Sequence, residues 1–220
     1  MNLRPGDLER LRTLEGPTLS DAVENLTRRD RTTGFAGAEI RCLDPLASPG
    51  IGFAVTGIVD NTTPGEWKGR GKQSDLWRLL EKAPKPAIVV LQHPGSHPER
   101  ASVFGDVVAT IAQRLGAVGL VTDGSVRDFP AIMALRFGVW ARGTVTSRGN
   151  GTTLAVGEDV SIAGMAVRQG DLIYADTNGV LAIPQELEPA ELLAEVERVR
   201  KSDAERIQMI LSPGFSIDKL

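Results

Sequence analysis

Between residues 106 and 141 the chain alternates helix-like and strand-like segments over short distances, and this alternation restricts the folds open to it. Residues 106–115 place their apolar side chains on one helical face, and Gly116 follows as a natural helix end. The segments after it fit a strand, a helix and a second strand: residues 117–121, 130–136 and 138–141. So compact a strand–helix–strand unit predicts two parallel strands in one sheet.

Segments outside residues 106–141 also predict helices, strands and turns, but they do not restrict the fold as strongly. Thr18 or Ser20 is a plausible N-cap for an early helix, and Asn178-Gly179 is a strong hairpin signal. The remaining predictions are helices at 7–14, 20–26, 74–82 and 189–211, strands at 51–60 and 87–92, a polar loop at 61–73, and short strands after residue 150.

Composition narrows the classes of function. The net charge of −3 lacks the basic excess of a nucleic-acid surface, so we expect no nucleic-acid partner. The sequence contains no leader pattern and no apolar run long enough for a membrane span, which favours a cytoplasmic protein without a membrane partner. Cys42 is the only cysteine and cannot form an internal disulfide, so a reducing compartment and a structural role are expected.

The histidine supply limits any metal site. His93 and His97 are the only histidines, so a three-histidine site within one chain is impossible. A metal would rest mainly on oxygen ligands, which favours Mg²⁺ or Mn²⁺ over Zn²⁺. Both histidines flank Pro and Gly in a loop, where we expect solvated side chains rather than substrate contacts.

Asp106 begins the helix at 106–115 and has two interpretations. If it only caps the helix, it needs no further function, because Asp is among the commonest caps. Alternatively, the N–H groups of Val107 and Val108 have no partner within the helix and form a small anion-binding site at the positive end of the helix dipole.

Arg127 and Asp128 follow the first strand of the crossover unit, at the end where sites in parallel sheets tend to lie. An arginine there can clamp a carboxylate with two hydrogen bonds, and an aspartate can hold a hard cation. Adjacent opposite charges are also common on ordinary surfaces. The spacing from Asp106 is more informative, because the intervening helix and strand bring both ends to one side of the sheet.

The segment FGDVVATIAQRLGAVGLVTDGSVRD, residues 104–128, resembles the signature of the RraA-like family, which includes 4-hydroxy-4-methyl-2-oxoglutarate/4-carboxy-4-hydroxy-2-oxoadipate aldolases. The likeness extends over nearly the whole chain, through segments 18–22, 52–56, 141–143 and 167–180. It implies one α/β domain over residues 1–220, an αββα sandwich like the phosphohistidine swivelling domain. The helix at 189–211 would be C-terminal and could pack on a neighbouring subunit.

The resemblance also implies roles for individual residues. Asp128 would coordinate Mg²⁺, or Mn²⁺ in its place, and Asp106 would hold the metal through a water. Arg127 would bind the pyruvate moiety, and the backbone at Gly105, Val107 and Val108 would bind its carboxylate. In the family aldolases a neighbour's C-terminal helix supplies a glutamate, for which the candidates are Glu197, Asp203 and Glu205.

The expected function is therefore a metal-dependent, class II aldolase or lyase. It would cleave a 4-hydroxy-2-oxo acid to pyruvate and a second carbonyl compound, with oxaloacetate decarboxylation through the same chemistry. The resemblance further implies a homotrimer or homohexamer with sites between subunits. The alternative is a non-catalytic RraA-type regulator that binds an RNA-degrading enzyme, a role known for some family members.

Overall fold

A computed structural model describes residues 3–4, 6–44, 48–64 and 71–219 of the chain. Within them the strands are β1 (Arg41–Cys42), β2 (Gly50–Asp60), β3 (Ala87–Gln92), β4 (Ser102–Phe104), β5 (Ala117–Thr122), β6 (Ser125–Val126), β7 (Gly138–Ala141), β8 (Thr152–Val156), β9 (Val160–Ile162), β10 (Met165–Val167), β11 (Leu172–Ala175) and β12 (Val180–Ile183). The helices are α1 (Asp7–Arg12), α2 (Gly16–Thr27), α3 (Gln73–Lys82), α4 (Asp106–Arg114), α5 (Phe129–Ala134) and α6 (Pro189–Leu211), followed by a 3₁₀ turn at Ile217–Lys219.

The main sheet is mixed and has the order β1-β7-β5-β3-β2-β11-β12, with β8 also paired to β2. Strands β2, β3, β5 and β7 run parallel, as helices α3, α4 and α5 carry the chain back between them. The predicted parallel pair is confirmed, since Gly119 lies opposite Gly138 and Val121 opposite Trp140. The hairpin predicted at Asn178-Gly179 is confirmed as the antiparallel pair β11–β12.

Alternation along the strands separates two faces of this sheet. On one face, Val55 packs against α3, α4 and α5, while Ile51 on the same face packs against α1, α2 and α6. The opposite face includes Ala54 and is closed by the separate β9–β10 hairpin. The curled sheet thus carries both helix groups on its outer side, and the expected α/β sandwich with a C-terminal helix is confirmed.

Several boundaries differ from the sequence predictions. Helix α2 begins at Gly16 with Glu15 as its N-cap, so the prediction of Thr18 or Ser20 as the cap is wrong. Pro17 explains the earlier start, because its fixed φ suits the first helical turn and it needs no N–H partner there. Strands β4 and β6, of three and two residues, were not predicted because such short runs show no periodicity.

Helix α6 has the predicted bounds, but only its first half belongs to the core. Leu192 and Val196 are fully buried, whereas the side chains beyond Val199 are mostly exposed, including Ile207 and Leu211. The N-terminal half of α6 therefore anchors the helix by burying its apolar face, and the C-terminal half is exposed. None of the helices in the described parts of the chain combines the length and apolarity needed to cross a bilayer.

Candidate active site at the starts of helices α4 and α5

Two short strands bring the starts of two helices together. Strands β4 and β6 pair in parallel, with Phe104 opposite Val126, and each is followed within three residues by a helix. The N–H of Arg127 donates to the carbonyl oxygen of Phe104 at 3.0 Å, which extends the pairing to the end of β6. The expected meeting of a helix start with the 127–128 turn is therefore present in the fold.

Gly105 is the point of closest approach between the two helix starts. A Cβ at this position would lie 3.0 Å from Oδ2 of Asp128 and 3.3 Å from both Cγ and Nε of Arg127. These separations are shorter than ordinary van der Waals contacts between such atoms. The absence of a side chain at residue 105 is thus what lets the Arg127 and Asp128 side chains pack against the beginning of α4.

Arg127 and Asp128 form an ion pair with each other, with Nε of Arg127 3.2 Å from Oδ2 of Asp128. Asp128 adopts the left-handed conformation (φ 54°, ψ 31°), which few residues other than Gly, Asn and Asp enter readily. Its side chain makes no capping hydrogen bond to α5. The carboxylate is 42% exposed, so it remains accessible to a ligand while the left-handed backbone holds it beside Arg127.

Asp106 is the first residue of α4, and its Oδ1 accepts the N–H of Val107 at 2.7 Å. Among the described residues, the N–H of Val108 has no hydrogen-bond partner. An anion at this helix start could accept a hydrogen bond from the free N–H of Val108. At the N–H of Val107 it would have to share the donor with the Asp106 carboxylate or replace that carboxylate. The N-cap of α4 is Gly105 and no side-chain capping bond is present, so the interpretation of Asp106 as the helix cap is wrong. The anion-site interpretation stays a prediction.

These residues line one open cavity of about 430 Å³. We call the stretch Phe104–Val108 together with Arg127 the motif side of the cavity. The loop side of the cavity consists of Asn61, Arg148 and residues 150–153, which come from other parts of the chain. The lining also includes three residues of α3 and four strand residues: Gln73, Leu76, Trp77, Val59, Leu91, Ser102 and Val103. Asp128 adjoins the cavity through its ion pair with Arg127.

Asn61 was missed by the sequence reasoning, although it is a well-placed polar group of the loop side. It is 5% exposed, and its Nδ2 donates to the carbonyl oxygens of Ser102 and Arg148. Its Oδ1 is buried without a hydrogen-bond partner in the described part of the chain, which is rare in native proteins. One sequence signal existed: Asp60-Asn61 lies at the carboxyl end of a long buried strand, the position where parallel sheets carry their sites.

The two histidines have different environments, and the prediction of a solvated loop is wrong for His93. Its ring nitrogens lie 3.2 Å from the N–H groups of Asn61 and Gly95, and its side chain is fully buried next to Asp60. The prediction holds for His97, whose side chain is 63% exposed beside Glu99. His93 therefore supports the backbone of Asn61 from behind the loop side rather than contacting solvent.

The acidic residues near the cavity fit a hard divalent cation with few protein ligands. Asp106 and Asp128 offer carboxylate oxygens, while no group of three or more His, Cys, Asp or Glu side chains suited to a metal occurs among the described residues. Mg²⁺ is commonly bound through one or two carboxylates, with water and substrate oxygens in the other positions. The donor set is thus compatible with Mg²⁺ or Mn²⁺ and incompatible with a closed structural zinc site.

The C-terminal acids proposed from the resemblance do not line this cavity in the chain itself. Glu197 pairs with Arg200 at 3.4 Å, and Glu205 pairs with Lys201 at 3.8 Å, both on the surface of α6. Asp203 is exposed on the same helix. A role for any of them would require a second copy of the chain.

A comparison with protein families matches residues 16–182 to the RraA-like model, described as Aldolase/RraA. The chain belongs to the RraA-like family. The match contains both helix starts described above and the whole loop side, so the cavity lies within the part that defines the family.

Individual relatives are distant. Protein DlpA of Legionella pneumophila is 26% identical over 217 residues, which are 98% of this chain but 33% of that protein, so the chain spans only a third of this relative. A Halalkalibacterium halodurans protein named "Putative 4-hydroxy-4-methyl-2-oxoglutarate aldolase" is 26% identical over 208 residues, 92% of this chain and 88% of the relative. Among solved structures, Streptomyces coelicolor RraAS2 superposes with a TM-score of 0.70 at 20% identity, covering 96% of this chain and 99% of that one.

The family includes proteins named as aldolases and proteins described as inhibitors of RNA processing. Identities of this order with solved structures establish the fold and leave function to the site itself. The catalytic and the regulatory interpretation must therefore be separated by the chemistry of the cavity.

Proposed function

We propose that this chain is a divalent-metal-dependent lyase that cleaves a 4-hydroxy-2-oxo acid to pyruvate and a second carbonyl compound, and that decarboxylates oxaloacetate. One observation carries the proposal. The β4–β6 pairing brings the start of α4, with the Asp106 carboxylate, and the guanidinium of Arg127 into the lining of one cavity, and Asp128 is ion-paired to Arg127 beside it. A regulator that acts only through its outer surface has no need of such a convergence.

In this proposal the motif side binds the pyruvate half of the substrate. The Arg127 guanidinium and the N–H groups of Val107 and Val108 hold the substrate carboxylate, which is the kind of anion that both an arginine fork and a helix N-terminus bind well. Gly105, which has no side chain, lets Arg127 and Asp128 lie against the start of α4, where its backbone would adjoin the bound carboxylate. Asp128, with support from Asp106, would hold Mg²⁺ or Mn²⁺, which when bound supplies a Lewis acid that polarises the 2-oxo group.

Bond cleavage then requires a proton to move and negative charge to be stabilised. The 4-hydroxyl loses its proton, the C3–C4 bond breaks, and C4 becomes the carbonyl carbon of the second product. The electron pair passes to C3 and the 2-oxo oxygen, where the fixed positive charge of Arg127 stabilises it. C3 finally takes up a proton to give the methyl group of pyruvate, and Asp106 is the carboxylate placed to relay protons through a water.

Pyruvate release from oxaloacetate and from 4-hydroxy-2-oxoglutarate, with and without Mg²⁺, tests the proposal directly. We expect metal-dependent release by the native chain and a loss of about 1,000-fold or more in Asp128→Asn, which keeps the side-chain shape but removes the charge that a hard cation requires. A thermal unfolding curve of the variant controls for folding. Full turnover after exhaustive chelation, or in the folded variant, contradicts the proposal.

The proposal includes assembly into a trimer or hexamer, as the family resemblance implies. The exposed end of α6 carries apolar side chains, Ile207 and Leu211, that suit contact with a second copy. The acids Glu197, Asp203 and Glu205 would reach a neighbour's cavity only in such an assembly. Sedimentation equilibrium of the purified chain measures this state independently of turnover.

A further inference from the structure

The loop that carries Arg148 is held firmly against the main chain around the cavity. The N–H of Ser102 donates to the carbonyl oxygen of Ser147 at 2.9 Å, and the N–H of Asn150 donates to that of Asn61 at 2.8 Å. Nδ2 of Asn61 reaches the carbonyl oxygen of Arg148 at 3.4 Å. These long-range bonds fix the backbone of Arg148 at the cavity instead of leaving it on a free surface turn.

Gly149 makes this close approach possible. Its φ of 67° is in the left-handed region, and a Cβ there would lie 2.2 Å from the carbonyl oxygen of Asn61. Only glycine satisfies both conditions, since an added side chain would collide with backbone. The loop therefore has a defined conformation that keeps Arg148, an exposed residue, in the lining of the cavity.

Arg148 is exposed to solvent at the cavity and, within the described ranges, forms no ion pair with a carboxylate. The other charged lining residues are Asp106 and Arg127. In the proposed complex, Asp106 and Asp128 would balance a divalent cation, and the pyruvate-type carboxylate would balance Arg127. Arg148 then keeps a positive charge that a second anionic group on the ligand would neutralise.

We propose that Arg148 is a specificity-determining residue that binds an anionic group, a carboxylate, on the half of the substrate beyond C3. The proposal rests on the proposed function for the orientation of the substrate, with its 2-oxo acid end on the motif side. Substrates that end in a carboxylate are then preferred over those that end in a methyl group.

Two ligands that differ only in this group test the proposal without any turnover. 2-Oxoglutarate and 2-oxopentanoate share the 2-oxo acid end, and neither carries the 4-hydroxyl that cleavage requires. Titration calorimetry with Mg²⁺ present should show 2-oxoglutarate binding about 10- to 100-fold more tightly, the range expected for one hydrogen-bonded charge pair. In Arg148→Gln this preference should fall to about twofold or less, through weaker 2-oxoglutarate binding alone.

Arg100→Gln is the matched control, because Arg100 is an exposed cation of a neighbouring loop outside this cavity. It should keep the preference of the native chain, and Arg148→Lys should keep part of it. The proposal is overturned if the native chain binds the two ligands equally or binds neither. It is also overturned if Arg148→Gln weakens both alike, or if Arg100→Gln has the same effect.

The outcome is separable from that of the proposed lyase activity. A ligand preference that disappears in Arg148→Gln, without pyruvate release from any 4-hydroxy-2-oxo acid, supports the binding role and rejects the lyase. Metal-dependent pyruvate release with no preference for the distal carboxylate rejects only the role of Arg148.

Discussion

The two sides of the cavity have different origins in the sequence. The motif side and the adjoining Asp128 come from one continuous segment, residues 104–128, which runs from the end of β4 to the N-cap of α5. The loop side joins Asn61 to Arg148, 87 positions away in the chain, through side-chain and backbone hydrogen bonds. The motif side can be recognised from local pattern, whereas the loop side exists only because distant segments fold against each other.

The first and largest prediction concerns the motif side. Arg127→Lys keeps the charge but loses the planar fork that binds a carboxylate with two parallel hydrogen bonds and reaches Asp128 through Nε. We expect kcat/KM for pyruvate release to fall about 100-fold, as when one charge-stabilising donor is removed. Steady-state kinetics measures the effect. A lysine variant as active as the native chain would show that the motif side does not need the geometry of arginine.

A second prediction concerns acid stability beside the loop side. Burial opposes ionisation of Asp60, but hydrogen bonds from the hydroxyl and N–H groups of Thr63 and Thr62 outweigh it and lower the pKa from 3.8 to about 2. The carboxylate therefore stabilises the folded state above pH 4. This contribution, about 2 kcal/mol, is lost as the pH falls toward 2.

Urea unfolding between pH 2 and 6 measures this contribution. Asp60→Asn should be less stable than the native chain at pH 6, and the difference should shrink steadily below pH 4 because the native carboxylate becomes protonated. If the unfolding free energies of the native chain and Asp60→Asn differ by the same amount at every pH in this range, the carboxylate does not stabilise the segment that leads into Asn61.

The smallest predicted effect tests how tightly the motif side is packed. Gly105→Ala places a methyl group 3.0 Å from Oδ2 of Asp128, so Asp128 and Arg127 must shift by a few tenths of an ångström. We expect a loss of about tenfold in kcat/KM, because catalysis is sensitive to small displacements of the groups that hold the substrate. The variant should unfold at nearly the native temperature.

Gly143→Ala is its matched control, since a Cβ at Gly143 would meet no atom within 4 Å. Both changes add one methyl group to a glycine outside helices and strands, so differences between them report on the site. Equal activity of the two variants would mean that the contact between Gly105 and Asp128 has no consequence for catalysis.

The sequence predicted the regular elements better than their ends. Periodicity located α4 and α6 because each buries one face, and short continuous apolar runs located β5 and β7 because both are buried on almost every residue. Helix α2 starts at Gly16, four residues before the predicted start at Ser20, because Pro17 favours the first helical turn more than the hydroxyl side chains of Thr18 and Ser20 favour a cap. The polar loop around His93 predicts a solvated side chain. In the structure this side chain is buried beside Asp60, and the N–H of Gly95 in the following turn lies at its Nδ1.

The strand–helix alternation, the hairpin at Asn178-Gly179 and the spacing from Asp106 to Arg127 and Asp128 follow from the order of residues alone. These features depend on residues close together in the chain, where pattern and backbone preference act directly. The folded chain was needed to see that Asn61 and Arg148 line the same cavity and that Asp128 is held left-handed beside Gly105. Such arrangements depend on contacts between residues that are far apart in the chain. A local sequence pattern does not indicate which distant residue will make the contact.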